Sequence, residues 1–203
     1  MARIDAASLM TASTYEINRA RVIAVAADLF ARNGYHGTGV AELCSAAGLG
    51  RGALYHYIDS KEAVLYAISK DQVDRMNGYA EDLFDRGLEP LDLIRQLARG
   101  LLRNIAEHRA EWAVFFRDYG ALTGERRDRV IAARERYESY WRQALDTGVR
   151  SGVLRPTPRL LLKGILGMFN YTYLWFEPDE ELTSDELADI FLDALINGIH
   201  TRP

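Results

Sequence analysis

Arg51, Gly52, Ala53, Tyr55, His56 and Tyr57 crowd the most distinctive chemistry of the chain onto the outward side of one short helical stretch. Arg51 can hold a phosphate or a guanine edge, and the hydroxyls of Tyr55 and Tyr57 can donate to phosphate oxygens. Gly52 lets backbone approach a partner closely, and Ala53 is small enough to sink into a groove against a thymine methyl. Thr38 and Lys61 flank the run, and Lys61 has the reach to meet a neighbouring phosphate. These eight residues are the candidate DNA-binding set.

Such residues need elements that aim them, and the surrounding sequence supplies these. Val40, Leu43 and Ala47 fall on one face at helical spacing, which predicts a helix from about Val40 to Ala47. Gly48 then offers a turn that needs a positive φ, and Leu49 can plug the angle. A second helix from about Arg51 to Ile58 buries Leu54 and Ile58. Ser60 is a natural N-cap for a third, long helix running into the rest of the chain. Two short helices with a glycine turn form a helix-turn-helix, whose second helix can lie in a DNA major groove. Spacing alone also fits ordinary helix packing, and the tyrosine-rich outward face favours the DNA reading.

Residues Asn18 to Lys61 resemble the DNA-binding domain of the TetR family of one-component regulators. The stretch NRARVIAVAADLFARNGY, with Leu29-Phe30 and Gly34-Tyr35, is similar to the family's opening helix. Ala46-Ala47-Gly48, then Gly52, Leu54, Tyr55 and His56, then Ser60-Lys61-Glu62 are similar to the remaining signature. Gly39 and Gly50 stand where the family usually carries a capping Ser or Thr, Arg51 replaces a common Lys, and Ile58 a common Phe. The stretch from Trp175-Phe176 and Glu177-Pro178 through Leu182-Thr183 to Glu186 and Ala188-Asp189 resembles one branch of that family. Regulators of lipid and steroid breakdown that respond to acyl-coenzyme A thioesters belong to it. The resemblance implies a homodimeric, ligand-responsive repressor of a palindromic operator.

Composition narrows the alternatives. The 203 residues are 48% hydrophobic with only five prolines, which suits an all-α fold of about nine helices. A flexible tail over residues 1–17 is expected first, in which Arg3 either reaches a minor groove or is plain terminus. A helix-turn-helix domain over 18–64 follows, then a helical ligand-binding and dimerisation domain over 65–203. A lone Cys44 precludes an internal disulfide framework and suits a reducing cytoplasm, and no run approaches a membrane span. The net charge is −4, yet residues 1–70 carry about +1, so a weakly basic head sits on an acidic body. Specific DNA binding then depends on two heads acting together.

The C-terminal half suggests a cavity and an interface. Twelve of 21 aromatic residues lie between Trp112 and Phe176. Trp112, Phe115, Phe116, Tyr119, Tyr137, Trp141, Met168, Thr172 and Trp175 are candidates to line a pocket for a hydrophobic effector. Plain core packing is the alternative. The segment PRLLLKGILGMFNYTYLWF is apolar on two faces, which must both be covered. Leu162, Leu166, Phe169, Tyr173 and Phe176, with Leu187, Phe191 and Leu195 of the last helix, are expected to meet a second copy across a twofold axis. Glu186, Asp189 and Asp193 of that last helix are expected to face water. Arg95, Arg99 and Arg103 form a stripe that holds a phosphate or is simply a solvated face. Arg134, Glu138 and Arg142 form i,i+4 pairs of the kind found on a solvated surface.

An enzyme finds little support. There is no GxSxG elbow, P-loop or HExxH motif, and His36, His56, His108 and His200 are scattered. No cofactor or metal is expected. An effector-independent DNA binder with a filled core is the other alternative.

Overall fold

The computed structural model describes residues 6–198 apart from Thr157 and Glu180, with side chains from residue 14. Among the described residues the chain is all helical, with nine α-helices and no strand. The head contains α1 (Ala6–Asn33), α2 (Val40–Ala47) and α3 (Arg51–Tyr57). The body contains α4 (Lys61–Asp85), α5 (Pro90–Glu107), α6 (Arg109–Asp118), α7 (Gly124–Arg150), α8 (Leu161–Asn170) and α9 (Ser184–Asn197). Two 3-10 turns, Tyr119–Ala121 and Tyr171–Leu174, follow α6 and α8.

The head forms because three apolar stripes meet. Val22, Ala26, Leu29 and Phe30 of α1 are buried together with Leu43 of α2 and Leu54 of α3. Helix α1 begins at Ala6, so most of the expected flexible tail is helical. Residues 6–17 contain no Gly or Pro, and extending an existing helix avoids the cost of a new nucleus. Arg3 lies outside the described residues.

Helix α4 is capped by Ser60, whose Oγ accepts the Ala63 N–H at 3.0 Å. It runs unbroken across residues 64 and 65, so the expected domain boundary falls inside a helix. Its inward residues, including Ile68, Val73, Met76 and Leu83, form the middle of the body against α6 and α7. Helices α4 and α5 approach closely at Gly100, where a Cβ would meet Tyr79 Cε1 at 2.0 Å. Gly is needed there for that reason.

Helices α5 and α9 are bound by charge as well as packing. Arg99 Nε donates to Asp189 Oδ1 at 3.0 Å, Arg95 reaches the same oxygen at 3.3 Å, and Arg103 pairs with Asp185 at 3.0 Å. The arginine stripe is therefore neither an open phosphate site nor a free solvated face. Asp189, expected to face water, is drawn onto α5 by two guanidinium groups.

Candidate nucleic-acid interface and effector cavity

The turn before α3 has the expected geometry. Gly48 takes φ +66°, and the Leu49 N–H donates to the Cys44 carbonyl at 2.9 Å, closing the end of α2. Gly39 and Gly50 cap α2 and α3 without side-chain help. Within α3 only Leu54 is buried. Arg51, Gly52, Ala53, Tyr55 and His56 are exposed, and Tyr57 is half-buried. The Arg51 guanidinium lies 5.9 Å from the Tyr55 ring centre, so the two present one cationic-aromatic surface. Among the described residues a Cβ at Gly52 would meet nothing within 4 Å, so their packing does not explain the glycine.

Two members of the set point elsewhere. Thr38 is only 1% exposed, and its hydroxyl donates to the Gly34 carbonyl at 2.9 Å. Lys61 Nζ donates to the Tyr35 carbonyl at 2.8 Å and the Thr38 carbonyl at 3.0 Å, and sits 4.4 Å from the Tyr35 ring centre. Carbonyls in the bend after α1 have no helical partner and capture the ammonium. Both residues therefore shape the head from within. Tyr15, which no pattern singles out, does touch α3. Its hydroxyl donates to the His56 carbonyl at 3.3 Å, and its ring lies 5.4 Å from His56 and 5.5 Å from Tyr57.

The head is tied to the body at the end of α6, and the start of α7 is tied to the first turn of α4, just beyond the head. At the end of α6, Arg117 Nη1 donates to the Ala31 carbonyl at 2.9 Å and Nη2 to that of Phe30. Beside it, buried Asp118 accepts the Tyr35 N–H at 3.2 Å. At the start of α7, the Thr123 N–H and hydroxyl both donate to Glu62 Oε1 at 3.0 Å, and Arg126 reaches Oε2 at 3.3 Å. Those Thr123 bonds hold the Glu62 carboxyl below its usual range.

Between α4, α6, α7 and α8 lies a small cavity of about 30 Å³, lined among others by Val73, Met76, Trp112, Phe115, Phe116 and Tyr137. Burial raises the Tyr137 hydroxyl above its usual range, so it stays a neutral donor. Tyr119 stacks on Phe115 with ring centres 5.4 Å apart. The other candidates are not gathered there. Trp141 lines a separate apolar groove of about 600 Å³ with Ile94, Leu145 and Leu192. Met168 is half-buried against the core, Thr172 is buried with its hydroxyl on the Phe169 carbonyl at 2.7 Å, and Trp175 is 52% exposed. The chain leaves the α-helical period at Tyr171, which rotates residues after it off the predicted stripe.

Three polar residues buried in the body escape a reading by periodicity. Ser69 and Gln72 of α4 are fully buried, yet among the described residues the Ser69 hydroxyl and both ends of the Gln72 amide lack partners. Ser69 precedes Val73 and Met76 on the same helix side, and Gln72 lies one turn before Met76. Glu138 is 7% exposed and lines the cavity wall, held by Arg134 at 3.2 Å and by Lys163 of α8. It is therefore not part of a solvated surface. Polar residues on a mostly apolar helix side were the available signal.

The interface residues also need correction. Leu162, Leu166, Phe169, Phe176 and Leu187 are all buried inside the chain's own core, and Tyr173, Phe191 and Leu195 pack partly against it. The uncovered side of α8 carries Leu160 at 81% exposure and Tyr171 at 62%, with exposed Gly164 and Gly167 between them. Leu174, Trp175 and Ile190 are exposed as well. Two apolar faces announce that one must turn inward, but α5 and α7 choose which. The Gly164 and Gly167 pair was the available sign of a face open to close approach.

Among the described residues, no His, Cys, Asp and Glu cluster suits a metal, and no helix is long and apolar enough to cross a membrane. Comparison with known proteins gives matches along nearly the whole chain. Residues 22–68 match the model for bacterial regulatory proteins of the tetR family, and residues 87–199 a tetracyclin repressor-like C-terminal domain. The chain is 24% identical over 184 residues to the HTH-type transcriptional repressor KstR2 of Mycobacterium tuberculosis, covering 89% of this chain and 92% of that one. It is similar to the crystal structure of the TetR-family regulator PfmR from Thermus thermophilus, with TM-score 0.82 and 31% identity over 89% of this chain and all of that one. It is also similar to AibR in complex with isovaleryl coenzyme A and operator DNA, with TM-score 0.78 and 26% identity, covering 88% and 98% of the two chains.

Proposed function

Because this chain belongs to the TetR family of bacterial regulatory proteins, we propose that it is a homodimeric repressor whose grip on a palindromic operator is released by a hydrophobic small molecule. One observation carries the reading. Helix α6 bears the cavity-lining Trp112, Phe115 and Phe116 and, at its end, the Arg117 and Asp118 that hold the head. A molecule that widens the cavity by displacing α6 also disturbs α1, which α6 holds through Arg117. The head positions then change by population shift between two arrangements.

The two heads come from two copies. The uncovered face of Leu160, Gly164, Gly167, Tyr171, Leu174 and Ile190 is the patch that a second copy covers, since the glycines let helices approach closely. In each head, Arg51, Gly52, Ala53 and Tyr55 face the groove, with His56 and Tyr57 braced by Tyr15. The structural relative AibR was captured with isovaleryl coenzyme A and operator DNA, which supports an acyl thioester as the first effector to try. A second reading, a DNA binder with a filled core, draws support from the cavity's small volume of about 30 Å³.

One experiment separates them. An operator is selected from random duplexes, and its affinity is measured by fluorescence anisotropy with and without a series of acyl-coenzyme A thioesters. The proposal expects one chain length to weaken binding about tenfold or more. Tight binding that no thioester or free apolar molecule alters would favour the filled-core reading. Failure to select any duplex would end the repressor reading.

A further inference from the structure

We infer that Glu138 is a built-in stand-in for the negatively charged end of the effector, closing the mouth of the cavity until an anionic amphiphile takes its place. The inference rests on the effector reading above and adds the chemistry of the molecule. Glu138 belongs to two spaces at once: it lines the inner cavity and also an outer cleft of about 510 Å³. Arg134 is shared in the same way, while Arg142 and Lys163 line the outer cleft alone. The wall between ligand space and solvent is thus made of side chains, not backbone, at this point.

The charges there are arranged around an anion. Arg134 Nε lies 3.2 Å from Glu138 Oε1, and Lys163 donates to Oε2 from the neighbouring helix. Three cations face two carboxylates, Glu135 and Glu138, in that cleft. Only Glu138 is buried, with 10% of its side chain exposed against 42% for Arg134 and 56% for Lys163. Desolvating a carboxylate is costly, and an apolar side chain of similar size could fill the site without that cost. A carboxylate on a flexible stem, bridging two helices over a cavity, can instead swing out and leave two cations for an incoming anion.

The replacement also has a route to the head. Arg134 Nη1 donates to the Tyr119 hydroxyl at 3.2 Å, and Tyr119 directly follows the Arg117-Asp118 pair that holds α1. An anion that pulls Arg134 outward therefore acts on the 3-10 turn adjoining the head contact. The carboxylate of a fatty acid and the phosphate of an alkyl phosphate share the required chemistry.

The test is calorimetric titration of the full chain with dodecanoate, dodecyl phosphate and dodecan-1-ol, each below its aggregation concentration. Glu138→Gln is expected to bind one or both anions about tenfold tighter than the parent, since the internal competitor is gone, and the alcohol within about twofold. Lys163→Gln, at a largely exposed position, is expected to bind the same anions about tenfold more weakly. The better of the two anions identifies the head group. Equal anion affinity in the parent and Glu138→Gln, or an equal gain for the alcohol, would overturn the inference while leaving the effector reading intact. If none of the three molecules binds any variant, this inference falls, while the effector reading stands or falls on the thioester titration above.

Discussion

Arg117 Nη1 donates to the carbonyl of Ala31 at 2.9 Å, joining the last turn of α6 to the last turn of α1. With Asp118 holding the Tyr35 N–H, one dipeptide grips both sides of the bend that leads from α1 to α2. Arg117→Ala removes charged donors to two carbonyls, each bond contributing about 1–2 kcal/mol at a partly exposed site. Together they come to about 2–4 kcal/mol, and we expect a fall in Tm of about 4–16 °C. We also expect the operator to be held about as well as before, with effector release blunted. Unchanged release would show that the coupling runs elsewhere, with the Glu62–Thr123 contact the next candidate.

The inward turn of Lys61 gives a second prediction, made by comparing two cations. With two heads on the operator, Arg51→Ala should weaken binding by about 2–6 kcal/mol if it meets a base, or lower the salt slope by about 1.8 if it meets a phosphate. Lys61→Met should leave the salt slope unchanged and instead lower Tm, because its ammonium serves two carbonyls of the head. A salt titration of each variant decides the matter. A reduced slope for Lys61→Met would return that residue to the DNA surface.

Gln72 bears on the cost of an unpaired amide in the core. Both ends of its amide are buried without partners, an arrangement that costs about 1 kcal/mol or more. Gln72→Leu should therefore raise Tm by about 2–4 °C in thermal melts of the free protein. A lower Tm would mean that the amide is satisfied in solution.

Acid should loosen α9 in a defined direction. The Asp189 carboxyl is held below its ordinary value, chiefly by the hydrogen bond from Arg99. A depressed folded pKa means that the unfolded chain takes up the proton first as the pH falls. The stabilisation is thus complete above the ordinary value of 3.8 and fades as the pH drops through the lower folded value. Asp189→Asn should lower Tm near pH 7 but much less near pH 2. An equal loss at both would assign the effect to packing.

How far the sequence could lead is clearest residue by residue. Gly48 in its left-handed turn, Leu43 and Leu54 in the core and Ser60 as a cap were all legible, because each answers a local rule of spacing or backbone geometry. Periodicity also separated buried from exposed residues along α1 and α3. It failed where distant partners decide. Leu162 and Phe169 face inward and Leu160 and Tyr171 outward because α5 and α7 cover one side of α8, and nothing within α8 names that side. Lys61, Arg99 and Glu138 look like surface charges in isolation. Each is recruited by a partner at least 23 residues away, a carbonyl or an opposite charge that no local pattern carries.

Helix α3 is seated by one fully buried side chain, Leu54, while Tyr15 touches its last turn at His56 and Tyr57. Arg51, Gly52, Ala53 and Tyr55 can then be exchanged while Leu54 keeps the helix seated, with little expense to folding or to the contacts that carry the effector signal. The promoters such a protein answers to and the metabolite it listens for are free to change by separate mutations. A lineage could rewire which genes respond without having to reinvent the sensor.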